Sequence, residues 1–391
     1  MQVEIVDSMA DIDAGEWNRL AGDRYPFLKH EFLLTAETTG CVSRATGWKP
    51  RHMILRAAGG TAIAAMPLYE KSHSWGEFVF DWAWAEAYQR AGLRYYPKLV
   101  SAVPFTPAPS PRLLSANNDE HARTLLESAL EFAKEAGHSS LHVLFPHVSE
   151  LDALKNAGLK LRKDCQFHWH NSDYRSFDDF LASFSSAKRK KVRRDRRHVR
   201  EQGIVFRWLD GHQTDVAIWA DVYQLISHTF LRRGSMPYYD CDFFVEISKR
   251  LPQNILVILA EKRRMTVAAA VFYVGANALY GRYWGSDAHY NALHFETCYY
   301  QGIDYCIAKR LGLFEPGTQG EHKVSRGFVP VTTWSAHWLA RPEFLTAVGH
   351  YLNEERRHVE RYMEAVDAHS PYRANSEGEH GALADASKRS T

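Results

Sequence analysis

The sequence predicts an α/β (or α+β) fold of two domains, each a mixed, mostly antiparallel sheet flanked by helices. The chain has 391 residues, more than the roughly 250–300 that one hydrophobic core accommodates. Its 45% hydrophobic and 24% charged residues are typical of a globular chain and exclude a mostly disordered or low-complexity one. The order strand–strand–strand–helix–strand occurs twice, at about 50–145 and about 255–339.

The first half of the chain mixes helix and strand patterns. Apolar periodicity predicts helices over 14–21, 29–39, 118–137 and 151–158. Gly137 and Gly158 are the expected stops of the last two helices. Short runs of apolar residues predict strands over 50–55, 62–69, 95–105, 141–145 and 166–169. The turn between the first two strands contains Gly59 and Gly60, which supply a permissive backbone.

The second half begins with residues 177–203, which lack proline and internal glycine and predict either one long helix or two in sequence. Helices are then predicted over 219–229, 242–251 and 295–311, and strands over 204–209, 255–261, 267–274, 278–284, 313–316 and 331–339. An antiparallel meander followed by a helix and another strand is the plan of an acetyltransferase-type (GNAT) domain. We therefore predict two tandem GNAT-like domains over 1–172 and 173–367, the second led by a basic helical segment, and a disordered tail over 368–391.

Several protein classes are disfavoured by what the sequence lacks. No apolar run approaches the roughly 18 residues of a membrane-spanning helix, so we expect no membrane span. The N-terminal segment carries acids where a signal peptide has a basic region, which predicts a cytoplasmic protein. The five cysteines form no CxxC pair, so reduced thiols are expected rather than disulfides or a bound metal. The absence of GxSxG, Walker A and HExxH strings argues against hydrolases of those kinds and NTPases.

One basic stripe, KRKKVRRDRRHVR over residues 188–200, carries nine Lys or Arg and one Asp. Its charge of +8 in a chain of net charge +2 leaves −6 for the remainder. On a helix only Val192 and Val199 would face inward, and the cations would crowd together. Either a polyanion such as RNA relieves their repulsion, or the stripe is a solvated face with acidic partners in the same chain. The candidate phosphate-binding residues are Lys188, Lys190, Lys191, Arg193, Arg194 and Arg197.

The most distinctive stretch, residues 281–328, contains a predicted short strand that leads into GTQGEHK, residues 317–323. Acyl transfer to an amine needs a group that takes the proton of the amine, and it benefits from a cation near the developing oxyanion. Glu321 or His322 could take the proton, while Lys323 and Arg282 could stabilise the oxyanion. Alternatively, Glu321 and Lys323 form a structural ion pair. Further substrate-binding candidates in this stretch are Tyr283, Trp284, His294 and Glu296.

Two other groups are weaker candidates for substrate contacts. In QFHWHN, residues 166–171, His168 and Trp169 could contact substrate; His168 is otherwise a hydrogen-bonded core histidine or, with His170, half of a metal pair that lacks a third ligand. In the aromatic block 75–92, most rings are expected in the core, but an acid among rings could recognise a cationic amine. The candidates in this block are Asp81, Trp82 and Tyr88.

The loops that would bind the pyrophosphate of acyl-CoA are unsuited to it. Acyl-CoA enzymes usually hold the pyrophosphate on backbone N–H groups of a glycine-rich loop that opens a helix. The equivalent loops are 104–112, with three internal prolines that lack N–H donors, and 286–296, with no glycine. This pattern argues against a standard CoA site in either half.

Several strings resemble the FemAB-like acyltransferases, a group of peptidoglycan biosynthesis/recognition proteins. They are residues 71–107 and 166–171, the basic stripe through Ile204, RYWG, HFETCYYQGIDYCI and EPGTQGEHKVSRGF, and the resemblance extends over about 25–345. It implies two tandem acetyltransferase-type domains. In the more distantly similar Fem transferases the donor is an aminoacyl-tRNA and the acceptor is an amine of a peptidoglycan precursor. Those enzymes carry a lysine in the last conserved block of the second domain, which Lys323 matches, and this implies that Lys323 stabilises the oxyanion.

The sequence therefore predicts an acyltransferase that transfers an aminoacyl or acyl group to a small amine or peptide acceptor. The favoured donor is an aminoacyl-tRNA, which makes tRNA the expected partner, and no tightly bound cofactor is expected. Two alternatives stay open: an acyl-CoA-dependent GNAT N-acyltransferase, in which the basic stripe contacts CoA phosphates or an acidic acceptor, and a non-catalytic protein that binds cell-wall fragments or RNA.

Overall fold

A computed structural model describes residues 1–318 and 320–373. The strands are β1 Gln2–Val6, β2 Trp48–Pro50, β3 His52–Arg56, β4 Ala62–Met66, β5 Tyr69–Lys71, β6 Lys98–Ser101, β7 Ser140–Leu144, β8 Lys160–His170, β9 Ile204–Asp210, β10 Ile255–Lys262, β11 Met265–Val274, β12 Ala278–Ser286, β13 Leu313–Glu315 and β14 Val329–Leu339. The α-helices are α1 Ala14–Ala21, α2 His30–Thr38, α3 Trp82–Arg90, α4 Asp119–Glu135, α5 Leu151–Asn156, α6 Phe177–Ala182, α7 Ser186–Glu201, α8 Val216–Leu231, α9 Cys241–Arg250, α10 Leu293–Phe295, α11 Gln301–Lys309 and α12 Pro342–Asp367. A π-helical segment, Glu296–Tyr300, joins α10 to α11, and a 3₁₀ helix covers Glu321–Arg326.

The chain divides into two compact units. Unit 1 comprises Met1–Asp164 and Thr332–Glu360, and unit 2 comprises Cys165–Val331 and the described residues from Arg361 to Arg373. The predicted domain limits stay predictions. Of the predicted tail, residues 374–391 lie outside the described residues, whereas Tyr372 is buried against Phe184 and donates a hydrogen bond to the Gly327 carbonyl at 2.7 Å.

Unit 1 combines two sheets with the long helix α4. Strands β1, β3 and β4 form an antiparallel three-stranded sheet, while β2, β5 and β6 pair antiparallel and β6 continues to β7. Strands β6 and β7 are parallel, and α4 connects them. The α4 residues Leu125, Leu126 and Ala129 pack into the core of this unit because they lie three and four residues apart on one face. The predicted order of meander, helix and strand is therefore present.

Unit 2 has the same order of elements. Strands β9, β10, β11 and β12 form an antiparallel meander, α11 follows, and β13 then pairs with β12 in the parallel direction. The end of β8 pairs antiparallel with β13. Phe272, Tyr300, Ile303 and Phe314 lie in the core between this sheet and its helices.

The secondary structure of two segments did not follow from the sequence alone. Residues 177–203 form two helices, because the chain is extended at Ser185, directly before α7. Helix α12, which spans 26 residues, was not among the helices predicted from the sequence. Among the described residues, each helix is too short or too polar to cross a lipid bilayer.

Candidate active site

The basic stripe lies on α7 in unit 2. Val192 and Val199 are buried, as the spacing predicts, and most of the cations on the helix are exposed. They face a groove of about 1520 Å³ between α7, β9 and the π-helical segment. Of the six predicted phosphate-binding residues, Lys190, Lys191, Arg193, Arg194 and Arg197 line this groove, and Lys188 does not.

Some groove cations have acidic partners and others do not. Arg193 pairs with Asp178 at 3.0 Å and Arg197 with Glu201 at 3.5 Å. Within residues 1–318 and 320–373, no side chain forms a hydrogen bond or an ion pair with the remaining exposed cations of the groove wall on α7, which are Lys190, Lys191, Arg194 and Arg200. The stripe is thus only partly neutralised by its own chain, and an external anion would find four unpaired charges.

A cavity opens where β12 and β13 separate. The two strands pair only from Ala278 to Tyr280 on β12 and from Leu313 to Glu315 on β13. Beyond this point β12 continues to Ser286, while the segment that follows β13 turns away through Pro316 and Gly317. The space between them is a cavity of about 420 Å³, and its wall includes Arg282, Tyr283, Trp284, His294, Cys298, Tyr299, His322 and Lys323. Strands β12 and β13 both end within residues 281–328, the stretch already identified as the most distinctive part of the sequence. The sequence therefore indicated the position of this cavity.

Helix α8 supplies the side of the cavity that the sequence analysis missed. A Cβ at Gly285 would lie 2.1 Å from backbone atoms of Leu225, so only glycine lets α8 pack this closely on β12. This contact brings Phe230 and Arg233 to the cavity wall. Both residues are about 50 positions from the strand they meet, and no local sequence signal marks them.

Lys323 is the buried cation of the cavity. It lies on the 3₁₀ helix Glu321–Arg326, between Gly320 and Gly327, whose φ angles of 113° and 94° favour glycine. Its side chain is 1% exposed and its Nζ donates to the carbonyl of Gly317. Burial lowers the pKa of Lys323 to about 7; Glu315 opposes this shift, and Arg282 adds to it.

Glu315, the carboxylate that raises the pKa of Lys323, already forms an ion pair with another residue. It contacts Arg282 at 2.8 Å, and both side chains are almost completely buried. Among the described residues no carboxylate forms an ion pair with Lys323, and the structural pair considered with Glu321 is not formed. Lys323 is therefore a buried cation whose charge is balanced by no carboxylate in contact with it.

Two histidines and a tyrosine adjoin Lys323. The Nε2 of His322 and the hydroxyl of Tyr299 are hydrogen-bonded at 2.8 Å. Burial, with Arg326 and Lys323 nearby, lowers the pKa of His322, and burial followed by His322 lowers the pKa of His294 to about 4. Both imidazoles are therefore neutral near pH 7 and can accept a proton. Glu321 lies outside the cavity wall, so it is the poorer proton acceptor.

The other substrate-binding candidates lie apart from this cavity. Glu296 lines the groove instead, where it pairs with Arg196 at 3.0 Å. Trp169 is fully buried in the core, and His168 is buried with its Nε2 3.2 Å from Gln166 Oε1. This placement is that of the hydrogen-bonded core histidine considered above. No group of three potential ligands for a metal ion occurs in the part of the chain that the structure describes.

The aromatic-block candidates belong to unit 1. Asp81 is buried and accepts hydrogen bonds from Lys98 and from Tyr95, so its carboxylate already has a cation. Tyr88 is buried in a small core cluster with Trp84 and Tyr95. Trp82 is 40% exposed and contacts the ring of Trp75. Of the three, only Trp82 is open to a ligand without rearrangement.

Comparisons with known proteins agree with this architecture. A family model named FemAB-like and described as peptidoglycan biosynthesis/recognition matches residues 8–374. The crystal structure of FemX superposes with a TM-score of 0.56 at 12% identity, covering 89% of this chain and 100% of that chain. The C-terminal domain of a protein described as a lysylphosphatidylglycerol synthetase from Agrobacterium fabrum gives a TM-score of 0.52 at 12% identity, covering 87% and 96%.

A conserved protein of unknown function from Bacteroides thetaiotaomicron gives a TM-score of 0.51 at 9% identity, covering 86% of this chain and 99% of that chain. The comparison with curated proteins finds no match. These structural likenesses confirm the predicted fold class, an α/β (α+β) fold of mixed, mostly antiparallel sheets flanked by helices. The family match confirms the predicted resemblance and the predicted transferase activity.

Proposed function

The chain belongs to the FemAB-like family of peptidoglycan biosynthesis/recognition proteins, and from this premise we propose that it transfers an aminoacyl group from aminoacyl-tRNA to an amine of a peptidoglycan precursor. The observation that carries the proposal is Lys323, a buried cation with no carboxylate partner among the described residues, on the wall of an open cavity. Such a group is suited to an anion that exists only during the reaction. Aminoacyl-tRNA is a cytoplasmic metabolite, so the proposal includes a cytoplasmic reaction.

The proposed chemistry is addition of the acceptor amine to the ester carbonyl of the donor. The new C–N bond forms as the carbonyl π electrons move to oxygen, and Lys323 donates a hydrogen bond to the resulting oxyanion. The nitrogen loses a proton to His322, His294 or the substrate itself. The tetrahedral intermediate then collapses, the ester C–O bond breaks, and the ribose hydroxyl of the tRNA leaves with a proton.

Arg282 has a supporting role in this scheme. Its guanidinium is paired with Glu315 at 2.8 Å, so its charge is largely balanced. Its charge lowers the pKa of Lys323, whereas Glu315 raises it. The developing oxyanion therefore meets one available cation, Lys323, rather than two equal ones.

The groove beside α7 supports tRNA as the donor. Four unpaired cations along one helix match a polyphosphate backbone, because each can neutralise a phosphate and release counterions. The loop after β12 offers little to the pyrophosphate of CoA. It lacks glycine, and the helix it opens, α10, has only three residues before the π-helical segment.

The experiment is binding of bulk aminoacylated tRNA at several salt concentrations, with CoA and acetyl-CoA as competitors, followed by a transfer assay with cell-wall precursor acceptors. We expect salt-steep binding that CoA does not displace. The triple variant Lys190→Glu, Lys191→Glu, Arg194→Glu should bind less tightly, and each reversal should reduce the salt slope by about 1.

Arg250→Glu, which reverses an exposed cation of α9 outside the groove, is the matched control and should bind like wild type. Saturable acetyl-CoA binding without tRNA binding would replace the proposed donor by an acyl-CoA. Binding of tRNA without transfer from any donor would contradict a catalytic role.

A further inference from the structure

The only acid of the basic stripe, Asp195, points to a connection between the groove and the cavity. Its carboxylate contacts Arg326 Nη2 at 3.3 Å and accepts a hydrogen bond from the hydroxyl of Tyr300 at 2.9 Å. Arg326 ends the 3₁₀ helix that carries Lys323, and Tyr300 ends the π-helical segment. One residue of α7 is therefore bonded to two of the segments that line the Lys323 cavity.

Arg326 is held by further neighbours besides Asp195. Its guanidinium carbon lies 3.4 Å from the centre of the Phe295 ring, and its Nη1 donates to the carbonyl of His322 at 2.7 Å. The side chain is 3% exposed, against 13% for Asp195. Removing the carboxylate would leave this cation buried without its ion-pair partner, and the 3₁₀ helix would shift to solvate it.

The neighbouring residue reinforces the connection. Arg196 pairs with Glu296 at 3.0 Å and with Asp304 at 2.7 Å, which fixes α7 to the start of the π-helical segment and to α11. A π-helical turn is a common feature of functional sites because it displaces side chains from their α-helical positions. Here it separates Glu296, on the groove, from Cys298 and Tyr299, on the cavity.

We infer that Asp195 is a positioning residue that transmits occupancy of the α7 groove to the 3₁₀ helix of Lys323. Crowded cations strain α7 when the groove is empty, and phosphates bound there relieve the repulsion. Because Asp195 joins α7 to Arg326 and Tyr300, a firmly held α7 holds the Lys323 segment in its reactive position. The inference rests on the proposed function, since it takes the donor's phosphates as the groove ligand.

The test compares Asp195→Asn with Arg194→Glu, two adjacent residues of one helix. Asp195→Asn should lower kcat about tenfold or more while the donor KM stays within about twofold, since it touches no substrate. Arg194→Glu should show the opposite split, a raised donor KM with kcat little changed. Asp242→Asn, which removes an exposed acid of α9 that lies on neither the groove wall nor the cavity wall, is the matched control and should leave both constants unchanged.

A second readout does not depend on turnover. Bulk deacylated tRNA should slow amide hydrogen exchange of residues 321–327 in the wild type. In Asp195→Asn it should bind equally well without slowing that exchange. Tyr300→Phe, which removes only the hydroxyl contact, should show a partial loss and substitutes for Asp195→Asn if that variant does not fold.

Equal kcat and equal exchange protection in wild type and Asp195→Asn, or in wild type and Tyr300→Phe where that variant substitutes, would overturn the inference while leaving the proposed function intact. Failure of the wild type to bind tRNA would overturn the proposed donor, and the inference with it. The two failures are distinguishable, because the second is visible in the wild-type protein alone.

Discussion

Lys98 in unit 1 and Lys323 in unit 2 are both buried, and these two lysines differ in what balances their charge. In unit 1, Lys98 is 0% exposed, and its Nζ contacts the carboxylates of Glu77, at 2.8 Å, and of Asp81. Burial favours the neutral amine, but Glu77 and Asp81 together raise the pKa of Lys98 above its ordinary value. In unit 2, Lys323 donates to a backbone carbonyl, and burial lowers its pKa to about 7.

The comparison shows that burial alone does not identify a functional lysine. Lys98 is part of a closed network that also includes Ser74, and Asp81 in turn binds the hydroxyl of Tyr95. Because two carboxylates contact this one ammonium group, Lys98 has no charge left for a ligand. Lys323 bears the cost of burial without a compensating carboxylate, as groups do that serve a charge formed during a reaction.

The largest effect is expected at Lys98. Lys98→Met would leave the carboxylates of Glu77 and Asp81 buried without their cation, which costs about 3–5 kcal/mol in similar buried pairs. The free energy of unfolding, measured by chemical denaturation near pH 7, should fall by that amount. A fall of under 1 kcal/mol would show that the network is not structural, and the contrast with Lys323 would be lost.

Lys323→Met should have the opposite effect on stability and a large effect on turnover. The rate of transfer should fall by about 10²-fold or more, which is typical for loss of an oxyanion donor. The Tm should rise, since methionine removes a buried amine of similar volume without leaving an acid unpaired. Turnover within a few-fold of wild type in the folded variant would exclude Lys323 from the mechanism.

How far the sequence predicted these two sites depends on the sequence distance between their parts. Arg282, Trp284, His294 and Lys323 were singled out from local strings, and the structure places all four on one cavity because β12 and β13 are parallel neighbours. The burial of Val192 and Val199 on α7 was predicted from helical periodicity alone. These features depend on short-range patterns that the sequence displays directly.

The features that were missed depend on tertiary pairing. Asp81 meets Lys98 across 17 residues, and Asp195 meets Arg326 across 131. Neither acid carries a local mark of its partner, although Asp195 is the single acid in a run of cations and could have been recognised as an exception. Glu296 was assigned to the substrate from its position near His294, but the π-helical segment turns it toward the groove.

The third prediction concerns pH. The charged ammonium group is a much stronger donor to an oxyanion than the neutral amine. Because burial lowers the pKa of Lys323 to about 7, kcat/KM should fall about tenfold per unit at pH above this value. The arginine of Lys323→Arg stays charged over the whole pH range measured. In this variant the fall of kcat/KM should therefore begin at a higher pH than in the wild type, whatever the absolute rate of the variant. A wild-type rate that keeps rising to about pH 9 would indicate that the neutral amine is the active form.

The smallest expected effect separates the two carboxylates that balance Lys98. Burial raises the pKa of Glu77 to about 7, with Lys98 opposing, whereas Asp81 has a pKa lowered to about 2, because Lys98 and His142 outweigh its burial. For Glu77 the folded pKa exceeds the ordinary value of 4.5, so its contribution to stability is complete below pH 4.5 and is lost as the pH rises to about 7. Asp81 acts in the opposite sense, at lower pH.

Glu77→Gln should therefore remove one part of the pH dependence without removing the ion pair between Lys98 and Asp81. The difference in Tm, variant minus wild type, should increase between pH 5 and pH 7.5, by about 2–4 °C for each kcal/mol of stability that the wild type loses over this range. Glu86→Gln, an exposed acid of α3 in the same unit, should show no such trend. A constant difference would mean that Glu77 is ionised throughout, and that Lys98 is held by two carboxylates of equal standing rather than by Asp81 with a protonated neighbour.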